Sequence, residues 1–181
     1  VATTHIPLSE VARQLDADRV ARACYWLARL LASLRNKAPM LAVAGLNPHA
    51  GEGGLMGDEE ERVISPGIER ALERLAAEER AVELVAPLGA DTAFRKANDG
   101  AFDGVVAMYH DQATIACKLA GFGEAVNVTL GLPHVRTSVD HGTGYDIAGS
   151  GFADPRGMAE ALRVAQRLAQ RLGRQSAPQS S

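Results

Sequence analysis

Aromatic side chains are scarce in this chain: four Phe, three Tyr and one Trp among 181 residues, 4% in all. A core with so few rings has to be filled by Ala, Val, Leu and Ile, the usual material between helices and a parallel sheet. Cysteine is scarcer still, with Cys24 and Cys117 alone. Both lie in apolar helical contexts, which suits reduced core thiols in a cytoplasmic protein and excludes a disulfide framework. No apolar run approaches the roughly 20 residues that span a bilayer, so no membrane partner is expected. Nor is there a basic stripe. The net charge is -3 with both signs interspersed, which argues against nucleic acid as a partner. No secretory leader is read at the N-terminus. The initiator Met is also absent, and Val1–Thr4 reads as the inside of a strand, so a preceding portion of the protein is expected.

What is present alternates. Val1–Thr4 is a short β-branched run, followed by Pro7 and a helix opening at Leu8. Asp16 or Asp18 caps a longer helix whose apolar stripe runs through Val20, Ala23, Leu27, Leu30, Leu31 and Leu34. Tyr25 and Trp26 are expected to pack against a neighbouring element. Pro39–Leu46 reads as a buried strand and leads into a loop, residues 47–57, rich in glycine. Such a loop brings backbone close to something or needs positive φ. It is not a phosphate-binding Walker loop, because no Gly-Lys-Ser/Thr follows. Asp58–Glu61 forms the acidic first turn of a helix, with Pro66 at a kink or a join. Val82–Leu88 is a third strand, and Asp91 is the cap of the next helix or a site residue.

Gly104–Val106 is a further strand. It delivers His110-Asp111-Gln112, a polar triplet, to the start of a helix. Ala125–Leu132 and the extended Pro133–Asp140 follow, then the glycine-rich turn His141–Gly149 with a short helix. Pro155 starts a final amphipathic helix, and residues 175–181 are expected to be a disordered tail. Strands alternating with helices imply an α/β fold with a largely parallel sheet, spanning residues 1–174.

The chemistry gathers where the strands end. In an open α/β sheet, ligands bind beyond the carboxyl ends of the strands. His5, His49 and His110 each stand just beyond such an end. Three neutral imidazoles suit Zn²⁺ or a similar divalent ion with open positions for a substrate oxygen. The plainer alternative is three unrelated surface histidines, with Asp111 serving the helix dipole. Lys118, Asn127 and Arg136 form a second set; Lys and Arg together suit a phosphate or carboxylate. Singly, each is better read as a surface residue or a structural ion-pair partner.

Three segments carry a resemblance to a known family. Leu46–Gly54, His110-Asp111-Gln112 and Asn127–Thr143 closely resemble the 4-hydroxythreonine-4-phosphate dehydrogenase family of vitamin B6 biosynthesis, and the similarity extends over nearly the whole chain. The resemblance implies a fold like isocitrate and isopropylmalate dehydrogenases, without the family's N-terminal portion. It implies a homodimer with the active site shared between subunits. It places the metal ligands on His5, His49 and His110, and a divalent ion (Zn, Mg or Co) among them. The phosphorylated substrate falls to Lys118, Asn127 and Arg136. Asp91, Asp111 and Lys118 become candidate catalytic groups, with the two carboxylates placed to orient a ligand or move a proton. His141, Gly142, Thr143 and Asp146 resemble the loop by which isopropylmalate dehydrogenases hold the adenosine side of NAD.

The implied reaction is oxidation of 4-phosphooxy-L-threonine with hydride passing to NAD, followed by loss of CO₂ to give 3-amino-2-oxopropyl phosphate. Ala113–Cys117 departs from the family's commoner Gly-Leu-Pro-type sequence. Relatives that oxidise threonate or erythronate 4-phosphate, or a dihydrodiol dicarboxylate, are the alternative. A non-catalytic metal-binding fragment is another.

Overall fold

A computed structural model describes residues 1–35, 37–121 and 124–175. The chain divides into two units, Val1–Ala116 and Cys117–Ser181, and each is taken by itself. The first holds α1 (Val11–Gln14), α2 (Ala17–Leu34), β1 (Met40–Ala44), α3 (Ser65–Ala77), β2 (Glu83–Leu88), α4 (Ala90–Asn98) and β3 (Gly104–Val106). The helix α5 (His110–Ala120) begins in it, and the division falls within that helix.

The three strands form a parallel sheet in the order β2-β1-β3. β1 is central, and Leu41, Ala42, Val43 and Ala44 are wholly buried. A strand covered on both faces has no polar side to show, which is why this one is a continuous apolar run. α2 starts where its sequence says it should, on Asp16, whose side chain accepts from the Arg19 N–H at 2.7 Å. Its stripe Val20, Cys24, Tyr25 and Ala28 is buried, and packs with Ile68, Ala71 and Leu75 of α3 and with the sheet. Burying each such side chain is worth about 1.5–3 kcal/mol. Burial pushes the Cys24 thiol up to about 12, so this cysteine is the inert core thiol expected.

Tyr25 is buried, as expected, and its hydroxyl does not go unpaired. It donates to Glu78 Oε1 at 2.6 Å and accepts from Arg29 at 2.5 Å. The Arg74 guanidinium lies 3.6 Å from its ring centre, a cation–π contact that adds to the α2–α3 clasp.

Several expectations need correction. Val1–Thr4 is not a regular strand. It runs beside the end of β3 through Ala2 N–H to the Ala107 carbonyl and Thr3 N–H to the Met108 carbonyl. The Thr3 hydroxyl also donates to that Met108 carbonyl at 2.7 Å, so one carbonyl takes both the backbone and the side-chain donor of Thr3. Asp91 does not cap α4; Gly89 does, and Asp91 sits in the first turn. Asp58–Glu61 is not the first turn of α3: residues 60–64 wind as a π-helical turn before it, with Glu60 buried. Pro66 does mark a join, falling in the first turn of α3. Cys117 is exposed, not a core thiol, because α5 has no buried side chain.

The second unit contains β4 (Val126–Thr129), β5 (Arg136–Val139) and α6 (Arg156–Gln175). β4 and β5 pair antiparallel with Asn127 opposite Ser138 and Thr129 opposite Arg136. They are a hairpin of their own, not further members of the parallel sheet. Side chains alternate along a strand, and Thr137 donates to the Ala161 carbonyl of α6 at 2.9 Å. The face carrying Thr137 therefore covers α6, and Asn127, Thr129, Arg136 and Ser138 share the opposite face. Gln175 ends α6 and so is not tail; residues 176–181 of the expected disordered tail lie outside the described residues. Among the described residues, no helix is long and apolar enough to cross a membrane.

Candidate functional site

The strand order sets the order of side chains along the carboxyl edge of the sheet. β2 leads to Gly89 and Asp91, β1 to His49, β3 to His110, and the N-terminal segment beside it to His5. The structure gathers these into two groups. His5 and His110 lie side by side with ring centres 5.2 Å apart. Together with Asp111, Tyr109 and Thr4 they line a cleft of about 250 Å³. His49 is grouped instead with Gly89 and Asp91: its Cα and Asp91 Oδ1 lie 3.8 and 3.1 Å from where a Cβ on Gly89 would stand.

Asp111 has a definite relation to His110. Its Oδ1 lies 2.6 Å from His110 Nδ1. A neutral imidazole that donates from Nδ1 to this carboxylate keeps its lone pair on Nε2. That is the tautomer a metal-binding imidazole needs, set by its partner. The nitrogen and oxygen donors of this cleft are of the kind a divalent cation takes. Within the chain, no group of three or more His, Cys, Asp or Glu stands close enough to hold a metal among the described residues. The expected trio of imidazoles is thus assembled only as a pair, because the turn carrying His49 aims along the β2 side of the edge.

That turn is unusual. His49, Ala50, Gly51, Glu52 and Gly53 all have positive φ, between 46° and 78°. The left-handed conformation costs roughly 1–2 kcal/mol for each residue bearing a Cβ, and three of these five do. Gly51 is obligatory for a second reason: a Cβ there would stand 2.8 Å from a Glu60 carboxylate oxygen. The glycine-rich composition pointed to positive φ but not to non-glycine residues sharing it.

Two polar residues that the sequence did not single out as site residues hold this edge together. Gln112 accepts from the Met108 N–H at 2.7 Å and donates to the Gly45 carbonyl at 2.8 Å. It ties the chain leaving β3 to the chain leaving β1. Glu60, only 7% exposed, accepts from the Asn47 N–H at 2.7 Å and from the Asn47 side-chain amide at 3.0 Å. Gln112 carried a signal in its triplet; Glu60 carried none, since it reads as one acidic residue among four.

The second set of residues belongs to the second unit. Asn127 and Arg136 are exposed on the same face of the hairpin, where Arg136 donates to the Thr129 hydroxyl at 2.6 Å. Lys118 instead lines a cavity of about 570 Å³ with His141, Gly142 and Thr143. Asp146 is not among its lining residues. Asp140 and Asp154 also border the cavity. Hydrogen bonds from Arg156 hold the Asp154 carboxyl below the usual carboxylate range, and the two form an ion pair at 2.7 Å.

Comparison with known proteins gives consistent results. Residues 1–165 match the family model described as pyridoxal phosphate biosynthetic protein PdxA. A 4-hydroxythreonine-4-phosphate dehydrogenase of Chromobacterium violaceum is 52% identical over 178 residues, covering 96% of this chain and 52% of the relative. A D-threonate 4-phosphate dehydrogenase of Pectobacterium atrosepticum is 44% identical over 167 residues, covering 92% and 49%. The crystal structure of 4-hydroxythreonine-4-phosphate dehydrogenase from Klebsiella pneumoniae superposes with a TM-score of 0.79 at 43% identity, covering 93% of this chain and 49% of that one. The chain spans about half the length of the relatives it matches.

Proposed function

The chain belongs to the PdxA family of pyridoxal phosphate biosynthetic proteins, and from that premise we propose that it carries the metal, substrate and cofactor loops of a cytoplasmic dehydrogenase. The substrate is 4-phosphooxy-L-threonine, oxidised with NAD and decarboxylated to 3-amino-2-oxopropyl phosphate. The observation that supports this reading most is the pairing of His5 and His110 in one cleft with Asp111 holding the His110 ring.

Each group in the chain has a role by its own chemistry. His5 and His110 present nitrogen donors to a divalent cation, and His49, on the neighbouring strand end, supplies the third. When bound, the cation polarises the substrate oxygen and NAD accepts the hydride. Asp111 keeps His110 in the donor tautomer. Asp91 and Lys118 stand as candidates to move the hydroxyl proton. Lys118, Asn127 and Arg136 grip the phosphate, Arg136 with a planar fork suited to its oxygens. Holding the phosphate away from the reacting carbon converts binding energy into orientation. His141, Gly142 and Thr143 line the cavity that takes the adenosine side of NAD, with Asp146 beside them in sequence. A homodimer completes the cleft.

A second reading keeps the site and changes the substrate. The D-threonate 4-phosphate dehydrogenase matches this chain nearly as well as several 4-hydroxythreonine-4-phosphate dehydrogenases do, and Ala113–Cys117 follows the His110-Asp111-Gln112 triplet in sequence. NADH formation with 4-phosphooxy-L-threonine against D-threonate and D-erythronate 4-phosphates, each with Zn²⁺, Mg²⁺ or Co²⁺, separates the two. Preference for the amino substrate is expected. Preference for a threonate or erythronate phosphate moves the chain to the second reading. Metal bound without any NADH formed marks a non-catalytic fragment.

A further inference from the structure

We propose that Glu60 is a positioning residue: its buried carboxylate clamps the turn after β1 and so fixes where the His49 imidazole is presented. The inference rests on the reading of His49 as a cation ligand. A carboxylate this far from water needs donors, and Glu60 finds them in one residue. Its Oε1 accepts the Asn47 N–H at 2.7 Å and its Oε2 the Asn47 side-chain amide at 3.0 Å. The same amide donates to Glu59 Oε2 at 2.7 Å. Both partners are carboxylates, so the amide nitrogen must face them, and the Asn47 side chain has a single orientation. Asn47 in turn takes the Ala50 N–H on its carbonyl at 3.2 Å.

The clamp sits where it is needed. The left-handed turn begins at His49, two residues beyond Asn47, and Gly51 rests against the Glu60 carboxylate. A turn with strained non-glycine residues persists only when its surroundings over-determine it. The π-helical winding of residues 60–64 is the device that turns Glu60 inward. Such local departures from α-helix recur at functional sites. The Ser65 hydroxyl secures that winding by donating to the Glu60 carbonyl at 2.8 Å.

The test compares the full chain with Glu60→Ala, Glu60→Gln, Asn47→Ala and His49→Ala. Amide exchange over residues 45–57, the His49 ring signals and zinc affinity by chelator competition are measured for each. Glu60→Ala is expected to speed exchange in the turn by about tenfold or more, the effect of stranding buried donors, while exchange in β1 and β3 stays unchanged. Glu60→Gln retains an oxygen for the Asn47 N–H but opposes an amide to an amide. It should lie between wild type and Glu60→Ala in both exchange and zinc affinity, a graded rescue that a purely architectural residue would not give. Exchange at the wild-type rate in Glu60→Ala overturns the proposal. So does a loosened turn with wild-type zinc affinity when His49→Ala lowers that affinity. Should His49→Ala bind zinc normally, the ligand reading falls on its own, and unchanged His49 ring signals in Glu60→Ala would overturn the positioning role. If Glu60→Ala does not fold, Glu60→Gln and Asn47→Ala decide by the same readings.

Discussion

At the scale of single residues, the proposed site depends on neighbours that prepare a ligand as well as on the ligand itself. An imidazole binds a cation through one nitrogen, and the proton on the other must be held in place. Asp111, which the sequence offers as a dipole partner, a group that orients a ligand or one that moves a proton, stands 2.6 Å from His110 Nδ1, in place to do this. Loss of such outer partners costs about 10–100-fold in metal affinity in known sites. Asp111→Ala should therefore weaken zinc binding within that range while leaving thermal stability nearly unchanged, since the pair is exposed. His110→Ala should cost more than Asp111→Ala, because it removes a donor outright. Equal affinities for wild type and Asp111→Ala, read by chelator competition, would remove the orienting role. Gln112 acts on backbone instead, joining the ends of β1 and β3 so that the residues beyond them keep their spacing.

At the scale of elements, helix packing sets how far the scaffold tolerates change. α2 and α3 approach closely at Gly67, where a Cβ would stand 2.6 Å from Val20 Cβ. Both atoms lie in tightly packed core, with no flexible side-chain end to yield. Gly67→Ala should destabilise the chain by about 1–3 kcal/mol, the usual cost of overpacking, measured as a lowered midpoint in urea. Retained stability would mean that the helices slide apart freely. The same elements show what the sequence made legible. β1 announces itself by an unbroken apolar run, and α2 and α6 by a helical period, because burial leaves its mark in the letters. The Asp16 cap was legible for the same reason: its chemistry is local. The hairpin of β4 and β5 was read as two extended runs, but nothing in an apolar run names its pairing partner. Val1–Thr4 has strand composition but meets the chain leaving β3 through the N–H groups of Ala2 and Thr3, short of a regular strand. The turn at 49–53 is legible as needing positive φ at its glycines and illegible at His49, Ala50 and Glu52, because Asn47 and Glu60 hold it from outside its own sequence. His5 and His110 meet as expected, whereas the His49 backbone lies beside Gly89.

At the scale of the whole molecule, the missing third donor and the uncovered apolar side chains bear on one question. Among the described residues, no single chain assembles a metal-holding group, while the proposed dehydrogenase shares its site between two copies. α5 exposes Ile115 and Leu119, 60% and 82% accessible, and α6 exposes Met158 and Leu162 at 53% and 63%. Each pair is spaced four residues apart, so each marks one face of its helix. Apolar faces of this kind are what an isologous interface covers. Sedimentation of the wild-type chain should give twice the 19.1 kDa of one copy. Replacing an exposed leucine changes folding stability by no more than about 0.5 kcal/mol in either direction, so Leu119→Glu should stay folded by circular dichroism while placing a charge in the interface. It should sediment as a monomer and lose zinc affinity together with the dimer. A wild-type chain that sediments at 19.1 kDa would refute the homodimer. A folded monomeric variant with wild-type zinc affinity would return the entire cation site to one subunit, and His49 would then have to reach His5 and His110 by movement of its own turn.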